Sequence, residues 1–184
     1  MMVPISKNRG DNLVHPTEID EILESMVCIC DSREQNTPKL RARLKQIGLP
    51  IERKALLCGD YSAKVLLPSG EWYELPVSLE RKMDINEICM CYCQERTRFA
   101  KEFDRAKENH IKMYLLIEDA NWENIYSGRY RSQMLPQSLV ASLLAWLARY
   151  ECQVIMCKHE TTGKLIHDIL YREAKEFLAR MVDE

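Results

Sequence analysis

Hydrophobic positions along the chain follow strand and helix spacings in turn. Residues 26–30 form a continuous apolar run that ends at Asp31, which is typical of a strand buried on both faces. The next apolar positions have helical spacing, with Thr37 as N-cap, Pro38 in the first turn and Gly48 after the last turn. This pattern predicts a buried strand followed by a short helix.

The same alternation continues to the end of the chain. Further strands are predicted over 51–57, 61–67, 72–82, 113–117 and 153–157. Further helices are predicted over 85–109, where Asp84 and Glu87 form a capping box, over 136–150, and over 164–181. Interleaved strands and helices predict an α/β domain, with a mixed central β-sheet flanked by helices. We expect this domain to cover residues 25–184, after an extended or partly helical N-terminal arm over 1–24.

The tripeptide Glu-Arg-Lys occurs twice, at 52–54 and at 80–82. A hairpin folded about Ser69 would place Asp60 opposite residue 78, so that Glu80 lies within one register shift or bulge of Asp60. No hairpin fixes the register of the first copy, and the second copy is therefore the better candidate site. A solvated strand with alternating charges is the alternative for either copy.

Two converging carboxylates and a lysine suit phosphate chemistry. Asp60 and Glu80 would offer oxygen ligands to a hard divalent cation, and Lys82 could orient a water or stabilise a developing phosphate charge. The alternative is a surface salt bridge, which contributes only about 0–1 kcal/mol to stability.

Several segments together resemble a known family. Cys30–Glu34 (CDSRE), Leu57–Tyr61 (LCGDY) and Leu79–Lys82 (LERK) resemble the successive signatures of the XPF-type structure-specific DNA endonucleases, in the family order. That family belongs to the PD-(D/E)XK nuclease superfamily. Tyr114–Glu118 resembles its next strand, and Arg98 falls where the family has an arginine facing the site.

The resemblance implies a restriction-endonuclease-like core and a Mg²⁺- or Mn²⁺-dependent phosphodiesterase that cuts branched or flap DNA near a junction, in DNA repair or recombination. Carried over by position, it implies one set of site residues: the metal-site carboxylates Asp31, Asp60 and Glu80, the catalytic Lys82, and the supporting residues Arg33, Glu34 and Arg81. The backbone carbonyl of Arg81 would also ligate the metal.

The sequence departs from the family pattern at two places. The family has an Asp four residues after the lysine, but this chain has Asn86, and Asp84 is better explained as a helix N-cap. This departure leaves a catalytically silent nuclease-like DNA-binding or scaffold subunit as an alternative. Only one predicted helix follows Cys157, so we expect a minimal nuclease domain similar to stand-alone relatives in bacteria and phages.

Basic residues outside these motifs could contact DNA phosphates. The candidates are Arg98, Lys101, Arg105, Arg129 and Arg131. Acidic residues interleave with the basic residues of the predicted helix over 85–109, so an ordinary solvated helix face is the alternative.

Composition adds expectations about partners and compartment. The net charge is −2, and the chain has no apolar segment long enough for a signal peptide or a membrane span. We therefore expect a cytoplasmic protein without a membrane partner, whose eight cysteines are mostly buried free thiols. A metal-binding regulatory domain that uses these cysteines is an alternative. The apolar helix over 135–147 predicts a homodimer.

Overall fold

The computed structural model describes residues 14–183. The helices are α1 (Ile19–Glu24), α2 (Pro38–Ile47), α3 (Ile85–Cys93), α4 (Arg96–Glu108), α5 (Trp122–Tyr126), α6 (Pro136–Tyr150) and α7 (Thr162–Asp183). The strands are β1 (Val27–Asp31), β2 (Ile51–Lys54), β3 (Tyr61–Leu66), β4 (Trp72–Glu74), β5 (Val77–Lys82), β6 (Lys112–Glu118) and β7 (Gln153–Cys157).

All seven strands belong to one mixed sheet, which confirms the predicted α/β class. The strand order is β2-β1-β3-β5-β6-β7, and β4 pairs with β3 outside this row. The pairs β1–β2, β5–β6 and β6–β7 are parallel, whereas β3 runs antiparallel to β1, β4 and β5. The N-terminal end of β3 therefore lies beside the C-terminal ends of β1 and β5.

Helices cover both faces of the sheet and enclose a core on each. One core contains Tyr61, Leu79 and Leu116 under α1, α2 and α7, and we call this side the reverse face. The other core contains Leu115 and Ile117 under α3, α4, α5 and α6, and we call this side the site face. Because successive strand residues point to opposite faces, Asp60, Glu80 and Lys82 project on the site face.

The predicted hairpin forms, but its second strand is interrupted. Lys64 pairs with Glu74 as a turn about Ser69 requires. The prediction of one strand over 72–82 was wrong, because the chain leaves the ladder at Leu75–Pro76, where proline has no N–H to donate. Beyond this break Tyr61 pairs with Leu79, a shifted register that brings Asp60 opposite Glu80.

The predicted helix over 85–109 is also two elements. Half of its predicted capping box forms: the Glu87 N–H donates to Asp84, but the Glu87 carboxylate accepts from the Met83 N–H, one residue before the N-cap. The chain turns at Gln94–Glu95, which lets Tyr92 of α3 and Phe99 of α4 both pack against Trp146. Side-chain packing thus overrides a continuous helical pattern.

The chain before β1 is described only in part. Residues 1–13 of the predicted arm lie outside the described residues, and the boundary at 24/25 stays a prediction. Within the described part, Ile22 and Leu23 of α1 are buried in the reverse-face core. No helix of the described residues is long and apolar enough to span a membrane.

Candidate active site

A cavity of about 690 Å³ opens on the site face, where the ends of β1 and β5 meet the start of β3. It is lined by Asp31, Arg33, Glu34, Gly59, Asp60, Glu80, Arg81, Lys82, Glu87, Thr97, Arg98, Lys101, Glu102 and Arg105. The structure therefore brings together every residue that the family resemblance implied for the metal and catalytic site. Asp31, Glu80 and Lys82 come from the strands, Asp60 directly precedes β3, and the other basic side chains come mainly from α4.

The backbone around Asp60 fixes its carboxylate. The Asp60 N–H donates to the Leu79 carbonyl at 2.7 Å, and Asp60 Oδ2 accepts from the Arg81 N–H at 2.8 Å. Gly59 precedes it with φ +72°, and an added Cβ there would lie 2.2 Å from Ser78 Oγ. Only glycine fits this conformation and this close approach, so Gly59 determines where Asp60 enters the cavity.

Crowding and burial make the two central carboxylates hard to ionise. Burial, with repulsion from Glu34, raises the pKa of Asp60 to about 7. Burial and repulsion from Asp60 raise the pKa of Glu80 to about 8. A divalent cation between them would offset both effects, because it favours the charged form of each carboxylate.

Lys82 is held as a cation at the cavity wall. Its Nζ bonds the Glu80 carboxylate, lies 3.8 Å from Glu87 Oε1, and sits 5.2 Å from the centre of the Phe99 ring. Burial lowers the pKa of Lys82, but Glu80, Cys91 and Asp60 together outweigh burial and the net shift is upward. Lys82 is therefore protonated at neutral pH.

Asp31 has a different environment from the other carboxylates. Its Oδ1 accepts from the Arg33 backbone N–H and Nε at 2.7 and 2.8 Å, and its Oδ2 accepts from Arg33 Nη2 and the Leu56 N–H at 2.6 and 2.8 Å. These bonds outweigh burial and lower the pKa of Asp31. Both oxygens of Asp31 are thus engaged in holding Arg33 and the loop before Asp60.

The donor set fits a hard divalent cation. Asp60 and Glu80 offer carboxylate oxygens, and Arg81, whose N–H bonds Asp60, also lines the cavity. Oxygen ligands of this kind are those that Mg²⁺ and Mn²⁺ prefer. No cysteine or histidine lines the cavity.

A basic rim surrounds this acidic floor. Arg98, Lys101 and Arg105 follow one another along the exposed side of α4, and Arg105 Nε donates to the Leu57 carbonyl at 3.2 Å. Glu102, one of the acidic residues that interleave on this helix, also lines the cavity and accepts from the Gly59 N–H at 2.8 Å. Its spacing of one helical turn from Arg98 was the sequence signal for this shared face.

The remaining candidate DNA contacts lie elsewhere. Neither Arg129 nor Arg131 lines the cavity, and the Arg131 side chain is 88% exposed and pairs with Asp84 at 3.8 Å. Asn86 Oδ1 accepts from the Arg131 N–H at 2.8 Å and from the Ser132 N–H at 3.1 Å. Asn86 therefore fixes a loop and does not face the cavity.

The first Glu-Arg-Lys copy lies outside the cavity. Asp31 and Lys54 are neighbours in the parallel β1–β2 pair. However, Lys54 bonds Glu74 of β4, and Glu52 bonds Lys64 of β3. These partly exposed ion pairs connect neighbouring parts of the sheet. They agree with the alternative of a solvated strand with alternating charges for this copy.

The cysteines form neither a disulfide nor a metal cluster. All eight are free, and six are buried: Cys28, Cys30, Cys58, Cys89, Cys91 and Cys152. Burial is also the main reason that the pKa of the Cys58 thiol rises to about 11. Within residues 14–183, the one group of three or more His, Cys, Asp or Glu side chains with metal-ligand spacing is Asp119, His159 and Glu160, all exposed. The predicted free thiols are confirmed, and the cysteine-based metal domain is not supported.

Comparison with known proteins agrees with this geometry. A family model described as the ERCC4 domain matches residues 30–169. The chain belongs to the ERCC4 domain family. This membership supports an endonuclease that acts on DNA and depends on a divalent metal. A comparison with curated proteins finds no match.

Two solved structures share the ERCC4 fold with this chain. XPF from Aeropyrum pernix matches with a TM-score of 0.58 at 20% identity, over 85% of this chain and 69% of that chain. XPF from Aeropyrum pernix in complex with DNA matches with a TM-score of 0.56 at 20% identity, over 82% of this chain and 65% of that chain. The likeness establishes the XPF nuclease fold.

Proposed function

We propose that the protein is a Mg²⁺- or Mn²⁺-dependent endonuclease that hydrolyses phosphodiester bonds near flap, fork or other branched DNA junctions. The observation that carries this proposal is the convergence of Asp60, Glu80 and Lys82 in one cavity beneath a basic rim. A bound cation would favour the charged form of this crowded carboxylate pair, and the rim supplies positive charge for a phosphate backbone.

Asp60, Glu80 and the Arg81 carbonyl would hold the divalent ion, which supplies Lewis-acid polarisation of the phosphate and acidifies a bound water. We assign Asp31 a supporting part, because both its oxygens already bond Arg33 and Leu56. Through these bonds Asp31 keeps Arg33 at the cavity mouth, where the guanidinium can contact a phosphate.

Lys82 would act as a fixed cation beside the scissile phosphate. Its raised pKa makes it a poor proton acceptor at neutral pH, so it is not suited to be a general base. Its ammonium group can donate hydrogen bonds to a phosphate oxygen or to the attacking water. The negative charge that develops on the phosphate in the transition state strengthens these bonds, which lowers the barrier.

The basic rim of α4 would bind the DNA backbone beside the cavity through Arg98, Lys101 and Arg105. Their side of α4 lines it together with Arg33. The relative solved in complex with DNA supports DNA as the partner. The rim offers few basic groups, so we propose that junctions are preferred because they bend or fray more cheaply than a continuous duplex, which costs about 1–6 kcal/mol to deform.

The silent-subunit alternative loses its main argument. It rested on Asn86, but Asn86 faces the loop at Arg131 and not the cavity. Asp60, Glu80 and Lys82 are all in place. We therefore propose an active nuclease.

Cleavage of a DNA panel tests this proposal. The purified protein is incubated with labelled flap, fork, nicked and linear DNAs of matched sequence, in Mg²⁺, Mn²⁺ or EDTA. We expect metal-dependent cleavage, with single-turnover rates on the flap or fork at least about tenfold above the linear duplex, equivalent to about 1.4 kcal/mol. Absence of cleavage in both metals would contradict the nuclease, and equal rates would contradict the junction preference.

A further inference from the structure

A buried network of charged side chains lies on the reverse face of the sheet, directly behind the cavity. Glu118 Oε2 accepts a hydrogen bond from Arg81 Nη1 at 3.0 Å, and Glu118 Oε1 lies 3.6 Å from Arg43 Nη2. Arg43 Nη1 also donates to the Tyr61 hydroxyl at 2.9 Å. The side chains of Arg43 and Glu118 are only 9% and 5% exposed, so solvent screens these interactions little.

This network joins the chain neighbours of the two central carboxylates. Tyr61 follows Asp60, and Arg81 follows Glu80. Since successive residues of a strand point to opposite faces, Asp60 and Glu80 enter the cavity while Tyr61 and the Arg81 side chain point to the reverse face. Arg43 of α2 and Glu118 of β6 therefore connect the strand of one carboxylate to the strand of the other.

The Arg81 residue couples the network to the cavity. Its side chain is held by Glu118, and its backbone N–H donates to Asp60 Oδ2 at 2.8 Å. The strands β3 and β5 pair at Tyr61 and Leu79, next to the interruption at Leu75–Pro76. Because this pairing is short, side-chain contacts add to the main-chain bond between Asp60 and Leu79 in setting the separation of Asp60 and Glu80.

Stability alone does not explain a charged network at this place. Replacing a buried ion pair by well-packed apolar residues is often neutral or stabilising, because burying charge is expensive. Moreover, Glu118 Oε1 and Arg81 Nε have no hydrogen-bond partner among the described residues. The network does fix the relative position of the two strands next to the carboxylates Asp60 and Glu80.

We propose that Glu118 is a positioning residue of the metal site. Through Arg81 it fixes the peptide that holds Asp60, and with Arg43 and Tyr61 it sets the separation between Asp60 and Glu80. This inference rests on the proposed function, because it takes Asp60 and Glu80 to bind a divalent cation.

Mn²⁺ binding measured by electron paramagnetic resonance tests the inference without DNA cleavage. We expect Glu118→Gln to raise the dissociation constant at least about fivefold, because the uncharged amide has one acceptor oxygen and cannot hold both Arg81 and Arg43. The matched control is Glu173→Gln, which removes the partner of Lys112 at the far end of β6. The control should stay within about twofold of wild type, and thermal melting should show each variant folded.

Arg43→Lys separates positioning from net charge. It keeps the positive charge but cannot bridge Tyr61 and Glu118 with two fixed donors. We expect it to weaken Mn²⁺ binding at least about fourfold, beyond the tolerance of the control, and its result tests the inference if Glu118→Gln does not fold. If both variants bind Mn²⁺ as tightly as wild type does, the inference is wrong. The proposed function still holds in that case if the wild-type protein cleaves DNA. If wild type itself binds no Mn²⁺, the proposed metal site and the inference fail together.

Discussion

At the scale of single residues, the crowding of Asp60 and Glu80 makes the stability of the metal-free protein depend on pH. Burial, with repulsion from Glu34, raises the pKa of Asp60 to about 7, and burial with repulsion from Asp60 raises the pKa of Glu80 to about 8. Between the ordinary carboxyl pKa near 4 and these values, the folded protein binds more protons than the unfolded chain. The free energy of unfolding from this pair therefore falls as pH rises from about 4 to about 8.

We expect the melting temperature in EDTA to fall between pH 5 and pH 8, and Glu80→Gln to show a smaller fall because it removes one of the repelling charges. Mn²⁺ at pH 8 should raise the melting temperature of wild type much more than that of Glu80→Gln, by ligand linkage. Thermal melts at matched ionic strength measure both effects. A wild-type melting temperature that rises steadily toward pH 8 in EDTA would contradict the raised pKa values.

The sequence predicted which carboxylates converge but not how each is bound. Hairpin geometry and strand alternation depend on local spacing, so Asp60 and Glu80 could be placed together from the printed chain. The bonds that engage Asp31, and the contact of Glu102 with Gly59, join residues far apart in sequence. The spacing of residues along the chain does not predict such contacts. It also does not predict that the Glu118 side chain lies behind the site.

At the scale of elements, Gly59 links the loop after β2 to the cavity, and its replacement should be unusually costly. Gly59 and Gly70 both have positive φ, at +72° and +84°. A Cβ on Gly59 would lie 2.2 Å from Ser78 Oγ and 3.0 Å from the Leu79 carbonyl, whereas a Cβ on Gly70 would meet open space. The two positions thus share backbone strain and differ in steric clash.

We expect Gly70→Ala to cost about 1–2 kcal/mol from the left-handed conformation alone, a fall of about 2–8 °C in melting temperature. Gly59→Ala should cost clearly more and should also reduce DNA cleavage, because Asp60 moves with the loop. Melting and cleavage of both variants measure this difference. Equal destabilisation by the two substitutions would show that the contact with Ser78 is easily relieved.

Element prediction succeeded where local signals are strong. Thr37 caps α2 and Gly48 ends it with φ +71°, as the sequence predicted. The break at Pro76 has a local signal, since proline has no N–H for the ladder, and the prediction of one strand missed it. The turn at Gln94 depends instead on the packing of Tyr92 and Phe99 against Trp146. The short α5 was also missed, since five residues carry too little periodicity to predict a helix.

At the scale of the whole molecule, the predicted homodimer depends on the apolar character of α6. Most of its large apolar side chains are used within the molecule, since Leu139, Leu143 and Trp146 are buried in the site-face core. Leu144 is 48% exposed on the opposite side of the helix, and Leu135 just before it is 59% exposed. Intramolecular packing therefore accounts for much of the pattern that predicted a dimer.

The homodimer stays a prediction, which sedimentation velocity at micromolar concentration measures directly. We expect the wild type to sediment as a dimer, and Leu144→Glu to shift it toward the monomer if the exposed side of α6 is the interface. A concentration-independent mass near 21.6 kDa would show that α6 serves the intramolecular core alone.

The central claim is that DNA is cut in the cavity that holds the second Glu-Arg-Lys copy, and single-turnover cleavage of a labelled flap in Mn²⁺ tests it most directly. We expect Asp60→Ala, Glu80→Ala and Lys82→Ala each to lower the rate at least about 100-fold while remaining folded. Glu52→Ala and Lys54→Ala change the same residue types in the first copy and should stay within about threefold of wild type. Cleavage by Glu80→Ala at the wild-type rate, or an equal loss in Lys54→Ala, would contradict the account.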